Sequence, residues 1–230
     1  MDYREKLKNL LISLGAAKVG FGYLEDVLPN KYKHLKTGIS VIFRLSDQII
    51  NEIEEEPTHS YFHHYRTVNY KIDQIILSGV SKLQQWGYLA MPIAASQSVN
   101  IDGNKYKGIF PHRTAATRAG LGWIGKNACL ITKEFGPRIR LGTILTNMEV
   151  AYDEPITNSF CGDCNKCVKA CPALALRGNM WYAGIKREEL IDAQACSEHM
   201  SNHYKHIGRG SVCGICIKNC PVGTNVIRIG

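Results

Sequence analysis

Apolar residues recur along the first two thirds of the chain with two different periods. Leu7, Leu10, Leu11 and Leu14 form one stripe at helical spacing, opened by Asp2 and Glu5 in a capping-box pattern and ended by Gly15. Residues 17–23 and 38–45 are short, rich in β-branched and aromatic side chains, and read as strands. A long helix is predicted over residues 60–86, because Val68, Ile72, Ile75, Ile76 and Val80 fall on one face and Gly87 follows as a stop. Residues 89–94 read as a strand and 114–119 as a short helix after Pro111. Residues 128–132 and 138–146 read as two strands joined by the turn Glu134-Phe135-Gly136-Pro137. Helices alternating with strands argue for a sandwich of the two, so the fold class is α+β. Past residue 151 the apolar periods give way to Cys, Gly, Asn and Lys. That shift predicts a domain over residues 1–153 and a second, smaller one over 154–230.

The second segment holds the densest chemistry. Eight of the nine cysteines lie within residues 161–220. Cys161, Cys164, Cys167 and Cys171, followed by Pro172, make the C-x2-C-x2-C-x3-C-P run of bacterial ferredoxins. Cys213, Cys216 and Cys220 with Pro221 are a shortened copy, and Cys196 stands upstream to supply the missing thiolate. Thiolates spaced by two residues wrap three corners of one iron–sulfur cube, while the last cysteine of each run faces the other cube. One [4Fe–4S] cluster is therefore expected on Cys161, Cys164, Cys167 and Cys220, and a second on Cys171, Cys196, Cys213 and Cys216. Zinc is the competing ligand for C-x2-C pairs, but a tetrahedral site wants two such pairs rather than three cysteines and x3-C-P. Cys129 stands apart in the run Ala128-Cys129-Leu130-Ile131 and reads as a buried strand thiol.

Composition adjusts this picture in two ways. The formal net charge is +8, and from Pro155 onward nine Lys/Arg stand against five Asp/Glu. Two oxidised clusters with their thiolates, at about −2 each, would roughly neutralise that excess, so the charge is weak evidence for a nucleic-acid partner. The N-terminus mixes charged and apolar residues, unlike a signal peptide, and no apolar run nears the ~20 residues of a membrane-spanning helix. No membrane association and a cytoplasmic location are expected. That compartment also favours metal over disulfides for crowded cysteines.

The stretch Arg118-Ala119-Gly120-Leu121-Gly122-Trp123-Ile124-Gly125-Lys126-Asn127 packs three glycines around one tryptophan. Such backbone comes close to a flat ligand, or simply makes a tight turn. In order along the chain, this stretch, the segment ending LGTILTN, the run CGDCNKCVKACP, the lone Cys196 and CGICIKNCP resemble epoxyqueuosine reductases. These are cobalamin-dependent proteins related to the reductive dehalogenases. The resemblance implies a nitroreductase-like α/β sandwich that binds a corrinoid, followed by a ferredoxin-like module whose two clusters pass electrons to cobalt. It implies a corrinoid pocket including Arg118, Gly120, Leu121, Gly122, Trp123, Gly125 and Lys126, and an electron donor such as a ferredoxin or flavodoxin. It also implies that family members acting on transfer RNA continue into helical repeats, whereas the sequence here ends at Gly230.

The family's catalytic aspartate has no counterpart at the matching position, which falls on Tyr106. Tyr106 is a chemically reasonable proton donor, helped by Lys105 or Lys107. Asp102, through an insertion, and His112, with a near-neutral pKa, are the other candidates. His59, His63 and His64 read as a solvated helix start rather than a metal site. A small-molecule substrate is therefore expected, and transfer RNA is not. Two other functions stay open: an accessory protein that binds or reduces cobalamin, and a plain electron carrier.

Overall fold

The computed structural model describes residues 2–99 and 106–224. In chain order its main elements are α1 (Tyr3–Ser13), β1 (Lys18–Tyr23), β2 (Thr37–Arg44), α2 (Asp47–Asn51), α3 (His59–Gln85), β3 (Ala90–Ile93), α4 (His112–Arg118), β4 (Trp123–Ile124), β5 (Leu130–Ile131), β6 (Ile139–Thr146), α5 (Lys166–Lys169), α6 (Ala193–His203) and α7 (Ile215–Lys218). They fall into two compact units. One comprises residues 1–44, 68–121 and 140–156; the other comprises 45–67, 122–139 and 157–230. The composition shift at 153/154 marks where the cysteine-rich segment begins. The packing also draws residues 45–67 and 122–139 into that segment's unit.

The first unit is built on a four-stranded sheet in the order β1-β2-β6-β3. β1 and β2 are antiparallel with Phe21 opposite Ile39, and β3 and β6 are antiparallel with Ile93 opposite Thr143. The apolar face of α3 is buried at Val68, Ile72, Ile75, Ile76 and Val80, as its period predicts. Burying five β-branched side chains of this size favours the fold by about 1.5–3 kcal/mol each before entropy is counted. A methyl added at Gly79 would meet Ile144 and Leu11, so helix and sheet meet there at their closest. A second apolar cluster gathers Leu24, Leu28, Leu35, Ile93, Phe110, Ala115 and Leu145. The Asp153 carboxylate accepts from the Phe21 N–H at 2.7 Å and pairs with Arg4 at 2.6 Å, tying residues 150–156 to α1 and β1.

Two local expectations need correcting. Asp2 precedes α1 but its side chain caps nothing, and Glu5 pairs with Arg4 at 2.7 Å instead of closing a capping box. The strand predicted over residues 128–132 is only Leu130–Ile131, because Ala128 takes a left-handed φ of 55°, which no strand accommodates.

The second unit has little regular structure. β4 and β5 form a two-stranded ribbon with Trp123 opposite Ile131. A methyl on Gly122 would meet the Ile131 carbonyl oxygen, so only glycine lets the chain enter this ribbon. The buried Arg138 guanidinium bridges Asp47 and Asn51 at 3.1 and 3.0 Å, fixing α2 against residues 122–139.

Candidate iron–sulfur site

Two segments of the second unit, residues 164–174 and 213–223, share a helix and its exit but enter it differently, Asn165 at φ −127° and Gly214 at a left-handed φ of 82°. Aligned on their C-x2-C-x3-C-P spacing, α5 and α7 coincide residue for residue, each a single helical turn that carries the second cysteine, Cys167 or Cys216. The third cysteine ends the turn in both, Cys171 N–H bonding the Val168 carbonyl at 3.2 Å and Cys220 N–H the Ile217 carbonyl at 3.3 Å. Proline follows, and three residues after the cysteine the backbone turns left-handed, at Leu174 (φ 49°) and Gly223 (φ 76°).

The thiols act on one another in two groups. Cys167 is pushed up to about 11 by burial first and then by Cys161 and Cys164. Burial raises Cys220 to about 12, and Cys167 and Cys161 add to it. Burial likewise raises Cys196 to about 11, helped by Cys213 and Cys171. Cys213 is raised by burial and by Cys171, and Cys216 is raised with contributions from Cys213 and Cys196. In these neighbourhoods Cys220 feels Cys161 and Cys167, while Cys196 and Cys213 feel Cys171. The Val168, Ile215 and Val222 N–H groups point at the sulfurs of Cys167, Cys213 and Cys220 and stabilise their thiolate forms. Buried thiols that resist ionisation, yet have N–H groups aimed at their sulfurs, suit a cationic cluster that makes thiolates of them. Among the described residues no three His, Cys, Asp or Glu side chains close on a point fit for a single metal ion. A cube holds its thiolates at outer corners, wider apart than the ligands of one tetrahedral ion.

Cys129 is not a strand thiol. It lies ahead of β5, partly exposed, in a loop closed by Gly125 N–H on its carbonyl (2.9 Å) and by its own N–H on Asn127 Oδ1 (3.1 Å). Its thiol hydrogen-bonds Cys216, the largest cause of that thiol's raised pKa. It also acts on Cys167, Cys220 and Cys196, so it neighbours both groups. Only the odd count of nine cysteines hinted at it. Tyr204 went unnoticed in the sequence. Its buried phenol donates to the Glu55 carbonyl at 3.3 Å and is pushed up to about 12 by burial first, then by Cys213.

The glycine-rich stretch is committed largely to the protein itself. In the first unit, Arg118 pairs with Asp26 at 2.5 Å, Leu121 is buried, and a methyl on Gly120 would meet the Glu154 carbonyl at 2.5 Å. In the second unit, Gly125 faces the Ile131 side chain, and Lys126, 5% exposed, donates to Asn165 Oδ1 at 2.9 Å. Trp123 is 8% exposed and stacks edge-on against Phe160 at 5.2 Å. Among the described residues, two buried donors there have no partner, Trp123 Nε1 and Asn127 Nδ2. They are the groups this stretch leaves for a ligand.

Of the three proton-donor candidates, two lie among the described residues. Asp102 lies outside the described residues. Tyr106 sits partly buried at a left-handed φ of 61°. His112 has both ring nitrogens occupied, by Thr143 Oγ1 at 2.8 Å and the Ala94 carbonyl at 2.9 Å, and burial lowers its pKa. Such a ring stays neutral and structural. His64 Nε2 accepts the Ser46 N–H at 3.0 Å, which occupies that nitrogen in packing rather than in metal binding.

Comparison with known proteins fits this geometry. Residues 160–223 match the 4Fe-4S double cluster binding domain. The spacing, the two thiol groups and this match define a double-cluster iron–sulfur protein. The chain is also 38% identical over 123 residues to an epoxyqueuosine reductase of Gloeobacter violaceus, a match covering 50% of this chain and 36% of that enzyme. Its fold is shared with the epoxyqueuosine reductase from Streptococcus thermophilus (TM-score 0.62, 21% identity, 98% of this chain and 67% of that one). It is shared too with a reductive dehalogenase solved to explain B12-dependent dehalogenation (TM-score 0.70, 20% identity, 94% and 31%). More particularly, then, the chain is similar to epoxyqueuosine reductases over half of its length. The curated relatives are much longer than their matched parts, about a third of the Gloeobacter enzyme being covered.

Proposed function

We propose that this chain is a cytoplasmic iron–sulfur oxidoreductase that carries electrons through two [4Fe–4S] clusters to a bound corrinoid, for reduction of a small substrate. The observation that carries the reading is the match of residues 160–223, which hold both cysteine runs, to a 4Fe-4S double cluster binding domain. Two cubes side by side in one module make an electron relay rather than a structural staple. No helix among the described residues is long and apolar enough to cross a membrane, which is compatible with this location. The corrinoid part, with a nitroreductase-like sandwich to hold it, is supported by the likeness to epoxyqueuosine reductases and to a B12-dependent dehalogenase. The unmet donors Trp123 Nε1 and Asn127 Nδ2 add to that support. A corrinoid, when bound, supplies a strongly reducing cobalt, and the residues of this chain would bind and orient it.

A second reading, a plain electron carrier, is favoured by the internal commitments of Arg118, Gly120, Gly122, Gly125 and Lys126. Anaerobic protein should contain about eight irons per chain and negligible zinc. Cobalamin titration of that protein separates the two readings. Tight binding, loosened by Trp123→Phe with iron unchanged, supports the corrinoid reading. No binding to cluster-replete protein leaves the carrier. Transfer RNA is not the expected substrate, and an assay on epoxyqueuosine-containing transfer RNA with a full-length relative alongside tests this directly.

A further inference from the structure

The two equivalent segments differ in what lies over them. In the second, Ile215 is buried, Lys218 donates to the Asn51 carbonyl at 2.5 Å, and Gly223 lies backbone to backbone against Phe135 and Gly136. The residues at the same places in the first are Lys166, Lys169 and Leu174. All three are exposed, and neither lysine is in an ion pair with a described residue. Leu174 is 83% exposed, at the left-handed φ of 49° where the other segment has glycine. A large apolar side chain is thus held in water in a backbone conformation that disfavours it, two residues after Pro172. Its N–H bonds the Cys171 carbonyl at 3.1 Å. Between the lysines stands Cys167, and beyond them Cys171, one thiol from each group.

We propose that this face, centred on Leu174 and flanked by Lys166 and Lys169, is the docking surface for an acidic electron-donor protein of the flavodoxin or ferredoxin type. The proposal rests on the electron-relay reading above. The apolar centre with a short cationic rim suits a protein with an apolar patch ringed by carboxylates, and Asp163 is the one exposed acid next to it in the chain. A nucleic acid would want a longer cationic stripe and no exposed leucine. The face is built on the turn that carries Cys167 and Cys171, so a donor seated there delivers its electron over a short path. In the step itself, a flavodoxin hydroquinone gives one electron and becomes the semiquinone. One oxidised cluster takes that electron, and no bond to carbon or sulfur forms or breaks.

The test uses the cluster-loaded chain and two reductants, a reduced acidic flavodoxin and photoreduced deazaflavin, with cluster bleaching as the readout. Lys166→Glu/Lys169→Glu should slow reduction by flavodoxin about tenfold and abolish its dependence on salt, leaving the deazaflavin rate unchanged. Leu174→Gly should slow flavodoxin several-fold. Glycine suits the left-handed backbone, so this variant should melt no lower than the parent, and a slower rate then reports docking rather than misfolding. Flavodoxin rates that match the parent in both variants, with clusters intact, would overturn the proposal while leaving the relay standing. A chain that takes up no iron would overturn the relay itself. Loss of binding to an RNA stem-loop in the lysine variant, with flavodoxin rates unchanged, would give the face to nucleic acid and also overturn the proposal.

Discussion

Residues 164–174 and 213–223 build the same single-turn helix and the same left-handed exit, yet one is roofed by its own chain and the other is exposed at Lys166, Lys169 and Leu174. Residue 223 had to be glycine because the Phe135–Gly136 backbone passes directly over it. Residue 174 has no such neighbour, and leucine is tolerated there at a cost in backbone energy of about 1–2 kcal/mol. The difference teaches that spacing dictates the local fold around a cluster, while the identity of the non-cysteine positions reports what covers it.

The comparison breaks first if the thiol groups are not crossed. Cys220→Ala should strip the cluster held by Cys161, Cys164 and Cys167, and Cys171→Ala the one held by Cys196, Cys213 and Cys216. Each variant should fall from about eight irons to about four. Electron paramagnetic resonance of each variant tells which cluster survived. Pairing by sequence neighbourhood would invert the result.

A property the two copies should share comes next. Cys167 and Cys196 at about 11 and Cys220 at about 12 are protonated in iron-free protein at neutral pH. Iron must displace those protons, so its uptake weakens as pH falls, by up to about tenfold per pH unit for each proton released. Chelator competition at pH 6.5 and 8 measures it, and an uptake independent of pH would contradict these environments.

The reciprocal exchange then sharpens the contrast. Gly223→Leu should destabilise by about 3 kcal/mol, combining backbone strain with overpacking against Phe135 and Gly136. Leu174→Gly should be neutral or stabilising by up to about 1 kcal/mol. Denaturant unfolding of both variants, each loaded to the same iron content, gives the two numbers, and equal effects would mean the two exits are equally covered. Smallest of all, Lys218→Ala should cost about 0.5–1 kcal/mol through its lost bond to Asn51, against less than about 0.5 kcal/mol for Lys169→Ala.

Much of this arrangement was legible in the residues, for physical reasons. The stripe through Val68, Ile72, Ile75, Ile76 and Val80 has to be buried somewhere, so its helix follows from period alone. The two cysteine runs follow from how far a turn reaches around a cube, and residues 160–223 match a double-cluster domain. Cys129 was not legible, because its place beside Cys216 depends on a loop closing on Asn127, far from either run in sequence. Nor was the role of Gly120 and Gly122. A glycine that admits a ligand and one that admits a neighbouring carbonyl look the same in a sequence, and here Glu154 and Ile131 supply the carbonyls. The assignment of residues 45–67 to the cysteine-rich unit escaped for the same reason, since Arg138 reaches Asp47 and Asn51 only after folding.

The proposed crossing of thiols between the two runs has a consequence for how the protein is made and unmade. Neither run carries a complete set of its own, so each cube is a clasp whose last tooth is sewn to the other strap. A nascent chain with only the first run emerged can seat three corners and no more. Closure waits for Cys220, and by then the second clasp is within reach as well. Because the entropy of closing such a loop grows only with the logarithm of its length, the wait costs little once the chain is out. The same stitching works in reverse under oxidative attack. Losing one cube frees a cysteine of the surviving set's run, so damage to one centre loosens the strap that holds its twin without emptying it.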